Sequence, residues 1–276
     1  MKFRKFLMFA SRGTAPSFTI EVKSDNSGTS GTDQFTIPTT TGTYLYDYTT
    51  SDGQSGTGIT GNTTITFASG AGTYEIYITG TFPRIYFNNA GDEKKLLRVL
   101  QWGIYGVGET NQDKAFLGCG NLTSIAEDVD NINLITSATS IFQNCALTAL
   151  PSGLIWANLI TGGSAIRNNL LTSLPSGMTL NSLQNGEAML FSNSLTDLPT
   201  GVTLPALTNG AFFLNNNTIN TTRYSQLLVD LESGNVNNGV TFSGGNSLYN
   251  ATGETARNIL TGGVRLWTIT DGGLEP

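Results

Sequence analysis

The sequence contains no histidine, and charged residues make up only 12% of its 276 positions, about half the share usual in a globular protein. Without an imidazole, Ser-His-Asp and Cys-His nucleophilic catalysis and the common zinc sites are excluded. The 14 Lys and Arg against 20 Asp and Glu give a net charge of −6. That balance speaks against a nucleic-acid partner, because a protein that tracks phosphates is basic. No apolar run approaches the roughly 20 residues that span a bilayer, so no membrane insertion is expected. There are only two cysteines, too few for a disulfide framework. Both stand in the same local pattern, Phe116-x-x-Cys119 and Phe142-x-x-Cys145, which marks a repeated structural position filled by a small apolar group. A bridge between adjacent turns stays open as the alternative. In place of charge the chain carries 40 Thr, 26 Asn, 22 Ser and 33 Gly.

The first ten residues read MKFRKFLMFA. An export signal wants an apolar stretch of about 7–15 residues. Here the run from Phe6 to Ala10 is shorter and Arg12 follows it. Residues 1–15 are therefore expected to stay on the chain. Lys2, Phe3, Arg4, Lys5, Phe6 and Arg12 would form an attachment arm against another subunit or surface, the alternative being a strand or tail packed on the chain's own domain.

Residues 16–82 show apolar-polar alternation in five short runs, among them Phe18–Val22, Tyr44–Tyr48 and Thr73–Ile78, bounded by Gly, Ser and Asp clusters. This is the signature of strands in a small all-β sandwich. The run Ile65-Thr-Phe-Ala-Ser-Gly-Ala-Gly-Thr-Tyr-Glu-Ile-Tyr-Ile78 resembles the late strands of PKD-type immunoglobulin-like domains, and Asp52-Gly53 falls where that family has an Asp-Gly turn. Residues 83–114 read as a junction and N-terminal cap.

From residue 115 the chain repeats itself. Pro151, Pro175 and Pro199 follow one another at intervals of 24, as do Gly153, Gly177 and Gly201. Leu147, Leu171, Leu195 and Ile219 form one column, with Cys145, Asn169, Asn193 and Asn217 two residues before it. Asn suits such a column because its amide both donates and accepts, and so satisfies backbone groups left inside a sharp turn. The spacing matches the leucine-rich-repeat pattern over 115–220. Residues 221–276 would hold the C-terminal repeats and cap, with helical stripes at Tyr224–Leu231 and Ala256–Leu260 and a last strand at Val264–Ile269. The expected fold class is thus mixed: an immunoglobulin-like sandwich, then a leucine-rich-repeat solenoid of 24-residue period with a helical cap.

The opening of the repeats, Phe116-x-x-Cys119-x-Asn121-Leu122-Thr123, and the later Leu-Thr-x-Leu-Pro turns resemble the BspA-type surface repeats of bacteria, which also occur in bacteriophage virion proteins fused to immunoglobulin-like modules. The resemblance implies adhesion or structural presentation, not catalysis. With no export signal or membrane anchor in view, the expectation is a non-enzymatic phage virion structural protein, in capsid or tail. It would be present in many copies beside other virion proteins and would need no cofactor. A bacterial cell-surface adhesin is the alternative.

Strand alternation applied to the repeats puts the neighbours of the inward column Phe142, Ile166, Leu190 and Leu214 on an outer, concave face. The candidate binding residues are then Ile141, Gln143, Arg167, Met189, Phe191, Phe213 and Asn215. Arg167 is the sole cation between 115 and 220, and exposed Met189, Phe191 and Phe213 would surround it with an apolar contact patch. A host glycan or receptor, a neighbouring subunit, or no special role are the readings left open for that face. The acidic cluster Glu127, Asp128 and Asp130 reads as a solvated loop. Asp47 and Asp52 are weak calcium candidates, short of the usual number of oxygen ligands.

Overall fold

Extended backbone sends successive side chains to opposite faces, and the alternating runs of the first hundred residues use this to build two facing layers. The computed structural model describes residues 16–276. The attachment-arm residues Lys2 to Arg12 lie outside the described residues. β1 (Phe18–Lys23), β3 (Leu45–Thr50), β4 (Ser55–Ile59), β6 (Thr73–Thr81) and β7 (Leu96–Gln101) form an antiparallel five-stranded sheet ordered β4-β3-β6-β1-β7, in which β1 lies between β6 and β7. Opposite it lies the antiparallel pair of β2 (Gln34–Ile37) and β5 (Thr63–Thr66). Phe18, Ile20 and Val22 of β1 and Ile76 and Ile78 of β6 meet Phe35, Ile37 and Ile65 between the layers, all buried. β7 lies beyond residue 82, so the sheet runs past the boundary expected for the sandwich and takes in part of the junction.

One buried ion pair fastens the long β1–β2 connection. Asp92 accepts from the N–H groups of Thr29 (2.9 Å), Ser30 (3.0 Å) and Thr36 (2.7 Å) and from the Ser30 hydroxyl (2.7 Å). Lys95 Nζ donates to the carbonyls of Ser30, Gly31 and Gln34 and lies 3.8 Å from Asp92 Oδ1. Burial pushes the Asp92 carboxyl up, but the hydrogen bonds from Ser30 and Thr36 and the Lys95 charge outweigh it and hold it below its ordinary value.

The β7 edge of the sheet is not bare. Thr123 donates to Leu97 (3.0 Å) and Val99 to Ser124 (3.1 Å), so the repeating segment covers β7, whose unpaired edge would otherwise invite association. Trp102 packs at this seam, its ring 6.0 Å from Phe18, 5.7 Å from Phe116 and 6.5 Å from Phe142. One continuous apolar core runs from Phe18 to Ile269.

The repeating segment is built of stacked turns joined by parallel bridges at Asn111↔Ser137, Ser137↔Thr161, Thr161↔Asn185 and Asn185↔Asn209. Gly162, Ser164, Ile166 and Asn168 donate to the carbonyls of Asn185, Glu187, Met189 and Phe191 in the next turn at 2.8, 2.7, 3.1 and 2.9 Å. The N–H groups between them fold back instead: Ala165 donates to Gly162 (3.0 Å) and Arg167 to Ser164 (3.2 Å). Ser140, Ser164, Ala188 and Phe212 have φ of 56, 55, 52 and 59°, and Asn144, Asn168, Ser192 and Asn216 have 59, 54, 53 and 57°. A left-handed residue costs about 1–2 kcal/mol when it is not glycine. The hydrogen bonds to the adjacent turns and the packing inside offset that cost at every rung.

At the far end, β8 (Asn209–Gly210), β9 (Thr241–Ser243) and β10 (Thr268–Thr270) form a small parallel sheet. α1 (Thr221–Gly234) starts where the Asn220 side chain accepts from Arg223 N (2.9 Å), and it buries Tyr224, Leu227, Leu228 and Leu231. α2 (Ala251–Thr261) is capped by Asn250. The two helices meet at Gly253, where a Cβ would stand 2.9 Å from the Cβ atoms of Ser225 and Tyr249.

The mixed class expected from the sequence is corrected by this count of elements. The described residues hold mostly short strands in three small sheets and only two α-helices, with helix at 12%. Between 102 and 208 they form turns and isolated bridges rather than regular strands. The final strand is also shorter than expected: Val264 is exposed and β10 begins at Thr268.

Candidate functional site

Strand alternation fails in the stacked turns, and this decides which side chains reach the surface. Because a left-handed residue occurs every fourth position, inward and outward residues come in pairs. Gly162 faces in, Gly163 and Ser164 out, Ala165 and Ile166 in, Arg167 and Asn168 out, and Asn169 in. The inward pair recurs one turn above and one turn below as Ile141–Phe142 and Met189–Leu190, although Ser140 and Ala188, at the place of Ser164, are themselves buried. Ile141, Met189 and Phe213, expected on the surface, are therefore fully buried in the core beside Phe142, Leu190 and Leu214. Gln143, Arg167, Phe191 and Asn215 lie half-buried on the open face.

The inner column works through its amides. Asn169 Nδ2 donates to the carbonyls of Phe142 (2.8 Å) and Ile166 (3.2 Å), and its Oδ1 accepts from Leu147 N (3.1 Å). Asn193 repeats this with Ile166 (2.9 Å), Leu190 (3.1 Å) and Leu171 N (3.3 Å). Asn217 does so with Leu190 (2.8 Å), Leu214 (3.2 Å) and Leu195 N (3.0 Å). Each amide thus ties its own turn to the one before it. Cys145 fills the equivalent place, its thiol donating to Phe116 O (3.3 Å). Leu147, Leu171 and Leu195 are fully buried and Ile219 nearly so. Both cysteines are free, and burial pushes both thiols well above their ordinary value, which leaves them unreactive. This column is structural, with no group turned to solvent for chemistry.

The open face presents a different set. The Arg167 guanidinium lies 4.6 Å from the centre of the Phe191 ring, and Phe212, on the next turn, is 53% exposed. Asn168 Nδ2 donates to Asn144 Oδ1 (2.8 Å), and Asn216 Nδ2 to Ser192 Oγ (2.9 Å). Asn209 Nδ2 reaches Asn185 Oδ1 and Glu187 Oε2, each at 3.3 Å. At the first rung a second cation stacks on a ring: Arg84 lies 4.9 Å from the Tyr86 centre and donates to the carbonyl and side-chain oxygens of Asn111 (3.1 and 3.0 Å). Beside it opens a polar cleft of about 440 Å³ lined by Thr40, Thr43, Thr81, Arg84, Glu109 and Asn111 among others. Arg84, Tyr86 and Phe212 escaped the sequence reading. The column Asn144, Asn168, Asn216 was visible at intervals of 24 and 48, and it was the signal that could have located this face.

Most carboxylates nearby are taken up by the backbone. Asp113 accepts from Ser137 Oγ (2.7 Å) and Thr139 N (2.6 Å), and Glu109 from Asn111 N (2.8 Å). The cluster expected to be a solvated loop also has partners. Asp128 accepts from Trp102 N (3.0 Å) and Gly103 N (2.9 Å), and Glu127 from Ser152 N (2.9 Å) and its hydroxyl (3.0 Å). Asp47 takes Gly58 N (2.7 Å) and Asp52 takes Ala68 N (2.8 Å), so these calcium candidates act as turn caps. No group of three or more Cys, Asp or Glu converges as a metal site among the described residues, and no helix there is long and apolar enough to cross a membrane. No protein-family model matches the chain, and no curated protein matches it.

Proposed function

We propose that this protein is a non-enzymatic structural component of a bacteriophage virion, present in many copies, whose stacked turns present a contact face. The observation that carries the reading is how polar groups are divided. Carboxylates are used as caps for turns. The open face offers amides, hydroxyls, aromatic rings and two stacked guanidinium groups. Those groups recognise by hydrogen bonding and stacking, and none of them is poised for proton transfer. A surface of neutral hydrogen-bonding groups over a continuous core suits a part that must persist outside a cell. The likeness of the sequence to repeat proteins of virions points the same way.

The test is the mass and copy number of the native assembly that contains the chain. Many copies in a purified particle support the proposal. Deletion of residues 1–12 is then expected to leave a folded protein that no longer joins the particle. A soluble monomer absent from particles overturns the proposal.

A further inference from the structure

We infer that the open face of the stacked turns binds a linear acidic polysaccharide, one built of uronic-acid residues, with Arg167 and Phe191 at the centre of the site. This rests on the contact-face reading above and names the ligand of that face. Three observations carry it.

The first is charge. The chain is acidic overall, yet its open face gathers Arg84, Lys114 and Arg167. Arg167 takes part in none of the ion pairs among the described residues. Its planar fork matches a carboxylate in a two-point contact, which an ammonium cannot give. The acids Glu109, Asp113 and Glu187 keep their charge on this face, but they are hydrogen-bonded to Asn111 N, Thr139 N and Asn209 Nδ2, and none of them pairs with Arg167.

The second observation is the rings. Phe191 supports the guanidinium from below, and Phe212 on the next turn stands exposed. A sugar presents one face of C–H bonds and a rim of hydroxyls. It can lie on such a ring while its rim meets amides. A short acidic peptide offers no comparable flat apolar face.

The third is the period. Adjacent turns are joined as parallel strands are, so they rise by about 4.8 Å, close to the length of one sugar ring in a polymer. Asn144, Asn168, Ser192 and Asn216 place one polar side chain per turn along that direction. A polymer running up the stack meets the same kind of group at each of its residues. From the Asn111 rung, where the Arg84 guanidinium is held, to the turn of Arg167 is two steps, or about 10 Å along the stack.

The experiment is titration of the full chain with polygalacturonate, alginate and hyaluronate, using fully methyl-esterified polygalacturonate and dextran as controls. Saturable binding to at least one acidic polymer is expected, weakening as salt screens the charges. The methyl ester keeps the backbone and loses the charge, and it is expected to bind about tenfold more weakly or not at all. Arg167→Ala and Phe191→Ala should each cost about tenfold or more in affinity, with Arg167→Lys between parent and Arg167→Ala because it keeps charge but loses the fork. Unfolding midpoints of the variants guard against misfolding, and Arg167→Lys supplies the test if Arg167→Ala does not fold. Failure to bind all three acidic polymers overturns the inference, as does equal binding of the methyl ester or unchanged affinity in the folded Arg167 variants. Particle incorporation is read separately. Polysaccharide binding without incorporation removes the virion proposal and leaves this one, and incorporation without binding does the reverse.

Discussion

The five-stranded sheet and the stacked turns share one core, yet they solve the same backbone problem differently. In the sheet, each strand is extended, its hydrogen bonds run sideways and its side chains alternate, so Ile20, Val22 and Ile76 face in while Glu21 and Glu75 face out. In the stack, every second N–H group reaches the next turn and the others fold back within their own turn. Left-handed residues at intervals of four turn the chain so that adjacent side chains share a face. The sheet thus spends extended backbone to gain alternation. The stack accepts strained φ values and gains a tighter turn with two neighbouring side chains buried per rung. Inspection of apolar residues alone does not separate the two, because both bury Ile, Leu and Phe. What separates them is where the N–H groups go.

Five expected outcomes sharpen or break this comparison. The largest effect belongs to the sheet half. Lys95→Met removes one partner of a buried, hydrogen-bonded pair and should cost about 3–5 kcal/mol in urea unfolding, against little for an exposed cation such as Lys94. The pH dependence follows from Asp92, whose carboxyl is held below its ordinary value. Its stabilisation is fully present above the unfolded carboxylate range and is lost as pH falls through the lowered folded value. Unfolding midpoints should therefore fall at acid pH in the parent, and fall less in Asp92→Asn, which has already lost that contribution.

Two neighbours in the stack give the next outcome. Phe213→Ala should cost about 3–5 kcal/mol, being a buried ring in the core. Phe212→Ala, one residue earlier on the open face, should stay within about 0.5 kcal/mol. Equal costs at the two positions would mean that the paired inward–outward order is wrong. A smaller effect is expected for Asn193→Ala, about 1–3 kcal/mol, because Leu171 N–H and the carbonyls of Ile166 and Leu190 lose a partner. Thermal unfolding of Asn193→Ala beside Asn185→Ala, whose amide is on the surface, measures the difference.

The smallest effect contrasts the two backbones directly. Ala188 has φ of 52°. Ala188→Gly removes the left-handed strain of about 1–2 kcal/mol and adds chain entropy of about 0.5–1 kcal/mol, for a net gain between zero and about 1.5 kcal/mol. Thr64→Gly in strand β5 should instead cost stability, as glycine weakens a strand. Gains or losses of the same sign at both places would remove the claimed difference in backbone strategy.

How much could be read beforehand differs between the halves for the same physical reason. In the sheet, alternation is the structure, so Phe18–Val22 and Thr73–Ile78 announce their inward faces directly. In the stack, the 24-residue interval of Leu147, Leu171 and Leu195 is plain, since each turn must supply an apolar residue at the same depth. The facing of residues such as Met189 and Phe213 was hidden. It depends on the left-handed backbone at Ala188 and Phe212, residue types that seldom adopt it and carry no sign of it. The seam was hidden too, because β7 joins a sheet whose other strands all precede it. The pairing of Glu21 with Arg98, the bonds of Leu97 and Val99 to Thr123 and Ser124 and the packing of Trp102 put sheet and stack in one body.

Composition by itself determined that the chain brings no imidazole of its own, and the repeat interval by itself determined which residues recur at one depth. Both are properties of residue identity and spacing along the chain. Tertiary structure alone decided that Arg167 rests on Phe191 while Met189 and Phe213 point inward, and that Asp128, Glu127 and Asp52 cap turns. These depend on where a backbone N–H group is left without a partner and on which way a strained turn aims its neighbours. Local sequence does not carry that information, because it is settled only when one turn is stacked upon the next.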